Sequence, residues 1–180
     1  MAERGWTVFL ALGATLACAA GRAQNTIPGS RGTTLSGVQV AFPDALKGKL
    51  NVLVVGFSHA SQQQVGDWGR LIAAQYGQAP GLGYYEVPIL AAAPRMLRGM
   101  IVKSMASSVP YDEKPHFLPL MEDESAWRAV AHYDKSDDAY VLLVDGAGKV
   151  LWQTEGDATD MAWASFRKTL DEMSHRSGTP

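Results

Sequence analysis

Four polar residues stand directly after the most apolar stretch of the sequence, where a loop leads into a predicted helix. They are Ser58, His59, Ser61 and Gln62. A histidine beside serine hydroxyls suits nucleophilic catalysis only if the base lies within hydrogen-bond reach and is itself oriented by a third group. Neighbouring side chains of an extended loop point in opposite directions and no orienting acid is evident, which favours a helix-capping loop. Because amides at a helix start attract anions, the loop is also a candidate ligand-binding loop.

The single cysteine, Cys18, restricts the remaining chemistry. One cysteine permits no internal disulfide, no CxxC redox pair and no cysteine-based zinc site. The histidines show neither H-x-x-x-H nor H-E-x-x-H spacing, and the acidic turn after His132 lacks the glycine and distal glutamate of a calcium loop. We therefore predict no metal, no cofactor and no catalytic residue.

Hydrophobic periodicity predicts the elements that position the polar loop. The apolar run over 50–57 indicates a strand buried on both faces. Apolar residues recur at helical spacing from Val65 to Tyr76, and Ser61 with Gln64 forms a capping box for that helix. The later elements are expected as a strand over 84–90, helices over 91–106 and 122–132, a hairpin of strands 139–144 and 150–154, and a closing helix over 159–173.

The helix predicted over 91–106 is basic, with no acid between Ala91 and Val109. Its methionines are flexible and polarizable, which suits adaptable contacts. A helix of this kind suits a partner's groove or a peripheral contact with an anionic membrane, whereas the plainer alternative is a core-facing helix with a solvated basic side. The candidate partner-binding residues are Arg95, Met96, Arg98, Met100 and Lys103.

Residues 1–23 are typical of a secretory signal peptide, with a positive start, an apolar core and small residues before a cut at Gln24. We expect an exported, periplasmic or extracytoplasmic protein; an uncleaved anchor is one alternative. Lipid attachment at Cys18 is less favoured, because Thr15 replaces the usual leucine. A flexible leader over 24–36, a domain over 37–175 and a tail over 176–180 follow. The formal charge of −2 argues against a nucleic-acid partner.

Two segments of the sequence resemble the thioredoxin-like superfamily. LNVLVVGFSHASQQQVGDWGRLI (50–72) and YVLLVDGAGKVLWQTEG (140–156) carry the likeness, and the segment over 140–156 resembles the paired strands before the last helix of peroxiredoxins and of periplasmic thiol-disulfide proteins. YYEVPILAAAPRMLRGMIVKSM (84–105) is instead similar to the mitochondrial ATP synthase assembly-factor family. The resemblance implies an α/β fold, a thioredoxin-like three-layer α/β/α sandwich with a mixed central sheet.

The sequence departs from that superfamily at its reactive positions. The attacking thiolate would fall at Ser61 or Gln62 and the resolving one at Gln64 or Val65, while the stretch 137–139 lacks the cis-proline. Since a serine has no redox couple, we expect no oxidoreductase or peroxidase activity. The resemblance implies a redox-inactive protein that binds a protein partner, as an assembly factor or chaperone for a membrane complex such as ATP synthase. The alternative is a thioredoxin-fold enzyme with a non-thiol polar active site at the start of the first helix.

Overall fold

The computed structural model describes residues 25–177. The predicted signal peptide, Cys18 and the last three residues of the predicted tail lie outside the described range. None of the helices within 25–177 has the length and apolar character that crossing a bilayer requires.

The described chain forms a mixed four-stranded sheet, a small two-stranded sheet and four α-helices. In chain order the elements are β1 (Arg31–Thr33), β2 (Gln39–Ala41), β3 (Leu50–Gly56), α1 (Gln62–Tyr76), β4 (Leu82–Pro88), α2 (Arg95–Ser108), α3 (Glu124–Val130), β5 (Ala139–Val144), β6 (Val150–Glu155) and α4 (Asp160–Ser177). The order across the large sheet is β4-β3-β5-β6. Strand β3 runs parallel to β4 and antiparallel to β5, so the predicted mixed sheet and hairpin are confirmed.

Strand β3 separates two apolar clusters because its side chains alternate between the faces of the sheet. Val52 and Val54 pack with α1 and α4 on one face. Leu53 and Val55 pack on the other face with Trp127 of α3 and with residues from the β1–β2 segment. Both faces are therefore covered, which explains why the strand reads as an unbroken apolar run.

The prediction of a flexible leader over 24–36 is wrong for its described part. Strand β1 pairs antiparallel with β2, and Ile27 lies in the core with only 4% of its surface exposed. Ser30 is also buried, and its Oγ accepts a hydrogen bond of 3.0 Å from the Trp127 indole. The Gly- and Ser-rich composition suggested a linker, but one buried isoleucine and the backbone pairing tie this segment to the domain.

Strand β4 lies at the edge of the sheet, and the segment after α2 covers that edge. The amides of Leu118 and Leu120 donate to the carbonyls of Glu86 and Pro88, at 2.8 and 2.9 Å. This pairing fixes the last residues of β4 beside the start of α1.

Candidate functional site

The four predicted loop residues come together on one wall of a cleft. Ser58, His59 and Ser61 lie between β3 and α1, and Gln62 is the first residue of α1. All four line a cavity of about 660 Å³ between α1 and α2. Its volume is within the range of small-molecule pockets. The opposite wall is the inner face of α2, formed by Ile101, Ser104, Met105 and Ser108.

The predicted capping box of Ser61 and Gln64 is wrong. Ser61 has helical dihedrals (φ −72°, ψ −9°), and its hydroxyl donates to the Ser58 carbonyl at 3.0 Å. Gln64 instead accepts the amide of Ala139 through Oε1 at 2.8 Å. Ser58 orders the loop, because its Oγ accepts the amides of Ala60 and Ser61 at 3.0 and 3.2 Å. The helical turn begins before Ser61, so the capping hydroxyl is that of Ser58 and not that of Ser61.

These bonds bear on the alternative of a serine enzyme. The Ser58 hydroxyl donates to the carbonyl of Ser136 at 2.8 Å, and the Ser61 hydroxyl donates within the loop. Each hydroxyl has one proton, so neither donates to His59. Activation of a serine needs that contact, and the arrangement therefore favours a structural role for both serines.

The predicted partner-binding residues divide into two groups. Arg95, Met96, Met100 and Lys103 are exposed, and Met96 and Met100 present 87% and 63% of their surface to solvent. Met105 is the one buried residue of α2, so the solvated side of this helix is apolar as well as basic. We call Arg95, Met96, Met100 and Lys103 the α2 outer face.

Arg98 does not belong to the α2 outer face. Its guanidinium turns inward and donates to the carbonyls of Ala91, Ala93 and Met121 at 2.6, 2.9 and 3.1 Å. These bonds fasten the start of α2 to the loops beside it. The prediction that Arg98 contacts a partner is therefore corrected, because its guanidinium is occupied by backbone carbonyls. A pattern of charges in the sequence does not show such bonds.

Glu86 is a residue of the cleft that sequence reasoning missed. It is only 6% exposed and lies at the floor of the cleft, near the end of β4. Burial, with a smaller contribution from the nearby Glu113, raises the pKa of Glu86 from 4.5 to about 8, and Arg70 opposes the shift. The signal available in the sequence was an acid inside the apolar strand YYEVPIL.

Gly69 of α1 makes room for Glu86. A Cβ at Gly69 would lie within 2.6 Å of the Glu86 Cδ, far inside van der Waals contact. The glycine is therefore the residue that lets the carboxyl pack against the helix backbone.

No grouping of three or more His, Cys, Asp or Glu side chains suited to a metal ion occurs within residues 25–177. His132, at the predicted acidic turn, lies 2.6 Å through Nδ1 from the Gln153 side-chain amide.

No protein-family model matches the chain, and no curated protein matches its sequence. Solved structures do match. A protein named as thiol:disulfide interchange protein DsbE of Chlorobium tepidum is 17% identical, with a TM-score of 0.56 over 81% of this chain and 92% of its own. The exposed lipoprotein thioredoxin Etrx1 of Streptococcus pneumoniae strain TIGR4 is 12% identical, with a TM-score of 0.56 over 78% of this chain and 98% of its own. This chain has a thioredoxin-like fold.

A third match is BsSco, a member of the Sco family of cytochrome c oxidase assembly proteins. It is 13% identical, with a TM-score of 0.55 over 80% of this chain and 92% of its own. At such identities the likeness establishes the thioredoxin-like fold, and function has to be argued from the site.

Proposed function

We propose that this chain is a redox-inactive thioredoxin-like protein that binds a protein partner through the α2 outer face. Its role would be that of an assembly factor or chaperone for a membrane complex, of which ATP synthase is the example implied by the resemblance of 84–105. The proposal places the protein outside the cytoplasm, as the predicted signal peptide over 1–23 indicates.

The observation that carries the proposal is the solvent exposure of Met96 and Met100. Residues four apart on a helix lie on the same face, so the two side chains form one apolar strip. Arg95 and Lys103 are exposed at either end of that strip. Adaptable apolar side chains flanked by cations suit an apolar groove with acidic groups at its rim.

The start of α1 supports the proposal from the chemical side. The resemblance puts the superfamily's reactive thiol at Ser61 or Gln62, and neither side chain has a redox couple. BsSco is a member of a family of cytochrome c oxidase assembly proteins, so the fold is compatible with an assembly role. In that protein the assembly role accompanies a disulfide switch, whereas here we propose binding alone.

The test is affinity capture from native membranes with single variants of exposed methionines. We expect Met96→Glu and Met100→Glu each to reduce recovery of one membrane-complex subunit by at least about tenfold, which corresponds to about 1.4 kcal/mol. Met161→Glu is the matched control, because Met161 of α4 is 83% exposed and lies on a different helix. The subunit, once purified, must also bind the unmodified protein directly.

Two results would overturn the proposal. One is recovery of the same proteins by all variants, or of no membrane subunit by any of them. The other is disulfide reductase activity that survives Cys18→Ala, since the chain would then perform redox chemistry without its only cysteine.

A further inference from the structure

The Glu86 carboxyl is a buried polar group without a partner in the protein. Glu86 exposes only 6% of its surface. Its carboxyl forms no hydrogen bond or ion pair within residues 25–177, and its oxygens are not among the fully enclosed polar atoms of that range, so they reach the cleft. A carboxyl that is largely buried and has no partner in the protein can be satisfied only from the cleft, and leaving it unsatisfied is costly. Because Gly69 has no Cβ, the carboxyl fits against the backbone of α1. The cleft therefore has a built acidic floor.

The other charged groups around Glu86 leave an excess of acid. Arg70 of α1 is the nearby cation, and it pairs with Asp67 at the surface. Glu113, from the loop after α2, adds a second carboxylate, and His59 stands in the cleft wall. On the same strand, burial raises the pKa of Tyr84 to about 12, so the phenol stays neutral. No charged residue of α2 lines the cleft.

Part of the wall above the floor is apolar, and the polar loop residues and the serines of α2 make up the rest. Val65 of α1 and Ile101 and Met105 of α2 line the cleft, together with Phe117. A cleft with an apolar strip along its wall and a carboxyl at its floor suits a lysine or arginine side chain, whose stem is apolar and whose head is charged. A guanidinium is less strongly hydrated than an ammonium and pairs with a carboxylate through two parallel bonds, so it suits a buried acid better.

We propose that the α1–α2 cleft binds an alkylguanidinium group, with its stem between the two helices and its head on the Glu86 carboxylate. Binding is coupled to loss of the Glu86 proton to solvent, so that the bound pair is a carboxylate and a guanidinium. This site is separate from the α2 outer face and does not rest on the proposed function. The group belongs either to an arginine of a peptide segment or to a free small molecule.

The test titrates the full chain with two cationic probes and with their neutral isosteres, and measures binding by NMR or calorimetry. The first pair is N-butylguanidinium and N-butylurea; the other is a capped Ala-Arg-Ala peptide and the same peptide with citrulline. We expect the affinity of each cation that binds to be at least about tenfold higher than that of its neutral isostere. Tighter binding of the peptide than of butylguanidinium identifies an arginine segment, and the reverse identifies a small molecule.

Variants assign the site. Glu86→Gln should abolish discrimination between cation and isostere, whereas Glu172→Gln, at an exposed glutamate of α4, should leave it unchanged. Ser104→Tyr narrows the cleft from an exposed position on α2 and should weaken binding without touching the carboxyl. Met100→Glu should bind the probes normally, which separates this site from partner docking.

The pH profile provides an independent readout. Because Glu86 must lose its proton on binding, the affinity should rise by about tenfold per pH unit below about pH 8, the raised pKa of Glu86, and then level off. If the pH dependence of the affinity is unchanged in His59→Asn, it is assigned to Glu86 and not to the histidine. The proposal is overturned if neither cation binds at millimolar concentration, if the isosteres bind equally, or if Glu86→Gln binds as the unmodified chain does.

Discussion

Replacing Gly69 with alanine is expected to destabilise the protein by about 1–3 kcal/mol, the usual cost of forcing atoms into a packed site. The new methyl group would occupy space held by the Glu86 carboxyl. On an ordinary helix the same substitution is stabilising by about 1 kcal/mol, because alanine is the better helix former. The packing of one acid against one glycine thus reverses the sign of the effect, and urea unfolding measures it.

The double variant Gly69→Ala, Glu86→Ala isolates that contact. With the carboxyl removed, Gly69→Ala should become neutral or stabilising, which gives a coupling energy of about 1–4 kcal/mol. Gly99→Ala is the matched control, since a Cβ at Gly99 of α2 meets no atom within 4 Å. Stabilisation by Gly69→Ala while Glu86 is present would show that the carboxyl does not pack against α1.

The second large effect is on the pH dependence of stability. The folded protein holds the Glu86 proton up to about pH 8, whereas the unfolded chain loses it near 4.5. Between these values the folded state binds more protons, so the stability associated with Glu86 is fully present below pH 4.5 and is lost as pH rises toward 8. The slope reaches about 1.4 kcal/mol per pH unit.

Glu86→Gln should remove this loss, because the amide resembles the protonated acid and does not titrate. We expect the two proteins to have similar free energies of unfolding near pH 4, and the variant to be more stable by several kcal/mol near pH 8. Urea denaturation at a series of pH values measures the difference between the free energies of unfolding of the two proteins. The contributions of the other titrating groups cancel in that difference. Parallel curves for the two proteins would contradict the buried, unpaired state of the carboxyl.

The sheet could be predicted from the sequence because burial leaves a simple pattern. β3 lies between two apolar clusters, so the run at 50–57 has no polar interruption beyond Asn51. The hairpin of β5 and β6 follows from two apolar segments around the DGAGK turn. By contrast, the segment over 25–36 is held by Ile27 and by backbone pairing, and backbone hydrogen bonds leave little trace in composition.

The candidate site was predictable only in part. The loop at 58–62 was placed correctly, because polar residues between a buried strand and a helix must lie at the edge of the sheet. The roles of the α2 residues could not be predicted, because Arg98 and Lys103 look alike in the sequence. In the structure Arg98 binds three backbone carbonyls, whereas Lys103 faces solvent. Glu86 was missed because its significance depends on Gly69, 17 positions away (86 − 69) on another element.

Site-specific photo-crosslinking in native membranes tests most directly whether this chain works by binding through α2. A photoreactive phenylalanine analogue is placed at position 100 in one sample and at position 161 in another; both positions carry exposed methionines in the unmodified chain. We predict one predominant crosslinked product from position 100, containing a subunit of a membrane complex, and no such product from position 161. Absence of a product from position 100, or the same products from both positions, would contradict the proposal.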